Sequence, residues 1–300
     1  MSDRIELNPA IWDLILSQPE VGLETSMIGK IRVTEIVDAV CAFESNIQRA
    51  VSLSRVLQIA FVHGMLFQRG ISEAWNRTPG NATADSEEPI PSEIMQLAEQ
   101  ILENEVFKSR ADTNDIWDRI GRDLYLETEL LMQLQIVSTW TSVETLCGDL
   151  WEAAVNARPA ILSEKFKKVS VRALLRCGTT NVGTIIREDR RGGEVSLQSL
   201  DGIQGAYERA FQTDRQRIDK ALSNQSLTDL AVARNTIVHK AGKCDREYED
   251  KRHGGSCLPP RKPGESLQLG GIVIADLVTR SVTASRELIA AVDEWLVKNP

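Results

Sequence analysis

The sequence predicts an all-α protein, and two observations carry that reading. Long proline-free segments are dominated by Leu, Ile, Ala, Glu, Gln and Arg, with apolar residues recurring three and four positions apart. No segment reads as part of a β-sheet. A chain of 300 residues can also bury roughly three quarters of its unfolded surface, so the helices have a core to share.

Taken in order, the stretch from about Ile31 to Trp75 predicts two helical segments able to pack as a hairpin. One ends near Arg49, and the second contains Val56, Ile59, Phe61, Met65 and Phe67. Residues 76–91, NRTPGNATADSEEPIP, combine Pro, Gly, Asn, Ser and acidic groups with almost no large apolar side chain, the composition of a solvated linker. The expected division is therefore an N-terminal helical region over 1–75, a linker over 76–91 and a larger helical domain over 92–300.

Ser92 to Asn156 runs without proline and predicts two or three helices, broken near Ser109 to Asn114 and at Gly121, with Pro159 ending the run. A shorter helix is expected from about Phe166 to Arg176, then an irregular polar stretch from Gly178 to Glu194. Helices resume at Leu200 to Phe211 and Asp214 to Leu222, and Ser226-Leu-Thr-Asp229 has the form of a capping box that opens the next one. Lys240 to Gly271, with three prolines, reads as loop before a closing amphipathic helix from about Ile272 to Val297.

Charge and cysteine content narrow the function classes. A net charge of −8 argues against a positively coated protein that binds nucleic acid or membrane indiscriminately, while leaving room for a local basic site. Cys41, Cys147, Cys177, Cys244 and Cys257 are odd in number and form no C-x-x-C pair, so neither a disulfide framework nor a standard zinc module is indicated. Cys244, His253 and Cys257 lack an evident fourth ligand; no metal and no cofactor is expected. No stretch approaches the ~20 apolar residues of a membrane span, and acidic residues stand where a secretory leader would be basic. A cytoplasmic location is the expectation. Asn76, Asn81 and Asn224 match the glycosylation pattern without consequence in such a protein, and His63, in an apolar stretch, reads as a core or interface histidine.

The segment around Arg234 is the most informative. Leu227, Leu230, Arg234 and Ile237 are spaced 3, 4 and 3, with Ala231 and Val238 widening the stripe, which puts Arg234 in the middle of an apolar helical face. A buried guanidinium needs an acid or a polar groove. Glu144 is an acid of the same kind, centred in the stripe Val137, Trp140, Glu144, Cys147 and Trp151, so a meeting of Glu144 and Arg234 between packed helices is expected. Asn235 and His239 share one face, whereas Arg234 and His239 are about 140° apart on an ideal helix. A frayed terminus and a long Arg side chain would let all three reach one site. Histidine can both give and take protons near neutrality, and arginine can hold a phosphate by paired hydrogen bonds.

Arg234-Asn-Thr-Ile-Val-His239, followed by Lys-Ala-Gly242, resembles the R-x4-6-H signature of the HEPN superfamily (higher eukaryotes and prokaryotes nucleotide-binding domains), whose usual form begins Arg-Asn. The layout from Ser92 to Pro300 is similar as well; the motif itself covers about ten residues, and the first 75 lie outside it. A second Arg-to-His spacing, Arg246 to His253, lacks the adjacent Asn and any apolar stripe.

The resemblance implies a HEPN-like helical bundle with an additional N-terminal helical region. It further implies a metal-independent endoribonuclease, in which the 2′-hydroxyl of RNA attacks the neighbouring phosphate to give a 2′,3′-cyclic phosphate. His239 would be general acid or base, Arg234 would stabilise phosphoryl charge, Asn235 would orient the phosphate or the His, and Glu144 would support Arg234. A homodimer, an antitoxin or other regulatory partner, and a toxin, antiphage or stress-defence setting follow from the family alone. Two locally basic segments, 164–193 and 240–262, could contact RNA through Lys167, Lys168, Arg172 and Lys240, or be merely solvated. The alternatives are a non-catalytic HEPN module that binds RNA, a nucleotide or a protein, and a helical scaffold in which Arg234 is structural and His239 simply suits a helix carboxyl end.

Overall fold

The computed structural model describes residues 26–53, 110–159, 182–188, 196–252 and 254–299, together with positions 56, 70 and 96, and includes side chains of the long helix from 128 onward. These residues are predominantly helical and contain no strand, only an isolated bridge between Lys243 and Ser266. The second N-terminal stretch beyond Val56, the 76–91 linker, the 166–176 helix, His63 and Cys177 lie outside the described residues.

Two 3-10 turns, Ile28–Lys30 and Thr34–Ile36, lead into helix α1 (37–53). It is followed by α2 (Arg110–Ala157), α3 (Val182–Glu188), α4 (Leu200–Ala210), α5 (Gln216–Leu222), α6 (Gln225–His239), α7 (Arg246–Lys251) and α8 (Gly271–Lys298). Contacts divide the chain into two compact units, 1–17 with 52–132 and 18–51 with 133–300.

This division differs from the one expected at 76–91. Residues 26–51, grouped by composition with the N-terminal region, belong to the same unit as the motif helix. The reason is a set of long-range contacts. Asp293 of α8, almost fully buried, accepts hydrogen bonds from the backbone N–H of Arg32 (2.9 Å) and Val33 (2.9 Å) and pairs with Arg32 Nε (2.8 Å). The buried face of α1, Val40, Phe43, Ile47 and Ala50, follows the helical period and joins the core of this unit.

Three element expectations are also revised. The proline-free run continues as one 48-residue helix through Gly121 instead of breaking, because an interior Gly costs only about 1 kcal/mol against Ala. The stretch from Gly178 to Glu194 contains α3, which docks on α2: Gly183 N–H donates to Asn156 Oδ1 (2.8 Å), Thr184 Oγ1 donates to Glu152, and Arg187 pairs with Asp149 (2.6 Å) and Glu152 (2.9 Å). Finally, the 240–271 loop contains α7, capped by Asp245, whose side chain accepts from Tyr248 N–H.

The site-bearing part of this unit is built on α8, against which α5 and α6 pack, with α7 on α6 and α4 on α5. Aromatic side chains lock the joints. Tyr207 stacks on Phe211 (5.3 Å), Phe211 meets Trp295 edge-on (4.9 Å), and Trp295 Nε1 donates to Thr213 O (2.7 Å). Tyr207 Oη donates to Cys147 O (2.8 Å) and Trp151 Nε1 to Ala206 O (3.1 Å), which ties α4 to α2.

Candidate active site

Helix α6 begins two residues earlier than a capping box at Ser226 requires. Asn224 is the N-cap, its side chain accepting from Ser226 N–H (3.1 Å) and Ser226 Oγ (2.9 Å). Asp229, expected as the reciprocal acid of the box, is instead buried. It accepts from Gln225 Nε2 (2.8 Å), Ser256 Oγ (2.9 Å) and Cys257 N–H (2.9 Å), which fastens the 256–257 loop to the helix.

The buried face of α6 comprises Ser226, Leu227, Asp229, Leu230, Val232, Ala233 and Thr236. It is centred near Ala233, so Arg234 lies on its rim, half-buried, and not in its middle as the Leu/Ile spacing predicts. Val238, assigned to the apolar stripe, is exposed. Polar Asp229, Ser226 and Thr236 enter the core because each is satisfied, Asp229 mostly by the 256–257 loop and the other two within the helix and its cap; Thr236 Oγ1 donates to Val232 O (2.9 Å).

The rim position lets Arg234 reach both motif partners. Its Nη1 donates to Asn235 Oδ1 (2.9 Å) and stands 2.8 Å from His239 Nε2. Helix α6 remains regular through His239, so the arginine side chain alone spans the angle and no fraying is needed. The chain then turns sharply. Ala241 and Gly242 have φ of 50° and 75°, a conformation that glycine adopts at little cost, and Gly242 N–H closes on Thr236 O (2.9 Å). Leu267 N–H to Gly242 O (2.7 Å) and Cys244 N–H to Glu265 O (2.9 Å) hold this exit against the 264–267 segment. His239 is thereby left exposed at a well-anchored helix end.

Glu144 is half-buried on α2. Burial pushes its carboxyl above the ordinary range, while the positive charge of Arg234 and the nearby indole N–H of Trp140 act in the opposite direction. The two side chains thus sense each other, yet no ion pair within 4 Å joins them. Trp140 Nε1 and Arg234 Nε are both buried and make no hydrogen bond of acceptable geometry among the described residues. The expected Glu144–Arg234 meeting is an electrostatic neighbourhood, not a salt bridge.

Lys240, next to His239, is exposed and pairs with Asp245, with Glu247 3.9 Å away. These contacts hold Asp245 below the usual carboxylate range, with the hydrogen bond from Lys240 first and that from Tyr248 N–H second. Lys167, Lys168 and Arg172 lie outside the described residues, as does His253; Arg246 of the second Arg-to-His spacing is the first residue of α7. Among the described residues no group of three or more His, Cys, Asp and Glu is arranged to hold a metal, and no helix is long and apolar enough to cross a membrane. Sequence reasoning takes Asp229 for a capping acid and does not single out Asp293, because a buried carboxylate satisfied by backbone and hydroxyl donors has no local signature.

The chain matches no protein-family model, no curated protein and no solved structure.

Proposed function

We propose that the chain is a HEPN-type endoribonuclease acting without a metal, in which O2′ of RNA bonds to phosphorus, the P–O5′ bond breaks, and a 2′,3′-cyclic phosphate and a 5′-hydroxyl result. The observation that supports this reading is the convergence of Arg234, Asn235 and His239 within hydrogen-bond distance at an exposed helix end. His239 moves the proton, Arg234 holds phosphoryl oxygens, and Asn235 keeps the guanidinium turned toward the site. Lys240 can exchange its exposed acidic partners for phosphate readily, since solvent screens such surface pairs. A homodimer with two motifs facing one cleft would double the available acid–base groups, and control by an antitoxin-like partner fits a defence role.

The test is RNA cleavage in EDTA by wild type and His239→Ala side by side, with product termini identified. The expected result is cyclic phosphate ends for the wild type and a loss of at least about 100-fold in the variant. Varied RNAs left intact by folded wild-type protein, alone and with its physiological partners, would count against catalysis. The same hydrogen bonds favour a second reading, a non-catalytic module for RNA, nucleotide or protein, because they satisfy the motif without substrate; RNA binding retained by both proteins without cleavage would select it.

A further inference from the structure

The contact between Arg234 and His239 carries more information than proximity. A guanidinium has five N–H donors and no acceptor, so the 2.8 Å approach of Nη1 to Nε2 makes the histidine nitrogen the acceptor. An imidazole that accepts at Nε2 is neutral and carries its proton on Nδ1. Neutral histidine side chains in water favour the other tautomer, with the proton on Nε2, so a neighbour must impose this one. Nη1 has two hydrogens, and both are directed: one at Nε2, the other at Asn235 Oδ1, 2.9 Å away. The asparagine therefore fixes the plane in which Arg234 presents its second hydrogen to the ring.

We propose that Arg234, besides holding phosphate, is a positioning residue for His239: it sets the neutral Nδ1–H tautomer and so assigns His239 as the proton acceptor that begins the reaction, through Nε2. The catalytic half of this assignment rests on the ribonuclease reading. An arriving phosphodiester attracts the guanidinium away from Nε2 and frees the lone pair that Arg234 had engaged. Nε2 then takes the 2′-hydroxyl proton as O2′ bonds to phosphorus, the P–O5′ bond breaks, and water protonates the departing 5′-oxygen, the resulting hydroxide recovering the proton from His239. Arg234 thus guards the base until an anion is present.

The test is nitrogen NMR of the full chain labelled with 15N-histidine, at a pH where the ring is neutral. The His239 signals are identified by their loss in His239→Gln, which separates them from His63 and His253. In wild type, Nδ1 is expected to resonate as a protonated nitrogen and Nε2 as an unprotonated one. Arg234→Met and, as a milder change, Arg234→Gln should invert the tautomer ratio, with helical content checked by circular dichroism. A wild-type ring with its proton on Nε2, or a spectrum unchanged in both folded variants, would overturn the assignment. The measurement needs no RNA. An Nδ1–H ring in a protein that cuts no RNA removes the ribonuclease reading and leaves the positioning role; cleavage by an Nε2–H ring does the reverse.

Discussion

Arg234 and Glu144 both sit on the rims of helical faces, where a charge is partly desolvated but still touches solvent. For Glu144 burial outweighs the attraction of Arg234, so its carboxyl is raised above the ordinary carboxylate range. The sign follows directly. A carboxyl that binds its proton more tightly when folded than when unfolded lowers stability as pH rises through that window, and the penalty persists above it. Glu144→Gln is therefore expected to be as stable as wild type or slightly more so at neutral pH, by less than about 1 kcal/mol for so accessible a group. The difference should vanish below about pH 4.5, where both side chains are neutral. Urea unfolding at pH 7 and pH 4 checks this; a marked loss of stability at pH 7 would show that Glu144 and Arg234 form a closer pair than the geometry gives. The same residue was visible in the sequence as an acid among tryptophans, but its distance from Arg234 was not, because that depends on how far each helix is rotated about its own axis.

At the scale of elements, two contacts decide how helices are joined. Asp293 gathers three donors from residues 32 and 33 onto α8 while its side chain is only 4% exposed. Asp293→Ala would strand two backbone N–H groups and is expected to cost about 2–3 kcal/mol. Arg32→Ala should cost under about 1 kcal/mol, because the guanidinium is more than half exposed and the backbone donors stay satisfied. Thermal unfolding of both variants reads the contrast, and equal losses would refute it. At the α2–α3 joint, a Cβ on Gly183 would lie 2.6 Å from Glu152 O, closer than real Cβ atoms come to backbone oxygen. Gly183→Ala should push α3 off α2, weaken the Arg187 pairs with Asp149 and Glu152, and cost about 1–3 kcal/mol. Unchanged stability and hydrogen exchange in 182–188 would argue that the joint is loose.

For the whole molecule, the charge of −8 is distributed unevenly, but local excess is not the same as available charge. Arg187, counted in the basic stretch before Gly193, is held by two acids, and Lys240 by Asp245. The tertiary packing also sorts the cysteines. Cys41 is exposed, whereas Cys147 is fully buried and its thiol is pushed up to about 12 by burial and then by Glu144; Cys257 is raised to about 12 by burial and Asp229. Of Cys41, Cys147, Cys244 and Cys257, the native protein is expected to alkylate first at Cys41 and last at Cys147, since the thiolate is the reactive form. Mass-spectrometric mapping of a short iodoacetamide pulse tests this, and early modification of Cys147 would contradict the packing of α2 against α4.

The sequence by itself determined the helical class, the end of α6 at His239, the boundaries of the closing helix within a residue, and the identity of the Arg-Asn-His constellation. These are local matters: helical period and a glycine suited to positive φ act over a few residues and can be read there. Only the tertiary structure decided that residues 26–51 join the motif unit, that α2 is one helix, that Asp229 and Asp293 are buried acceptors, and that Arg234 bridges its 140° gap to reach His239. Each of these depends on partners far along the chain or on side-chain reach, where burial and hydrogen bonding override local propensity.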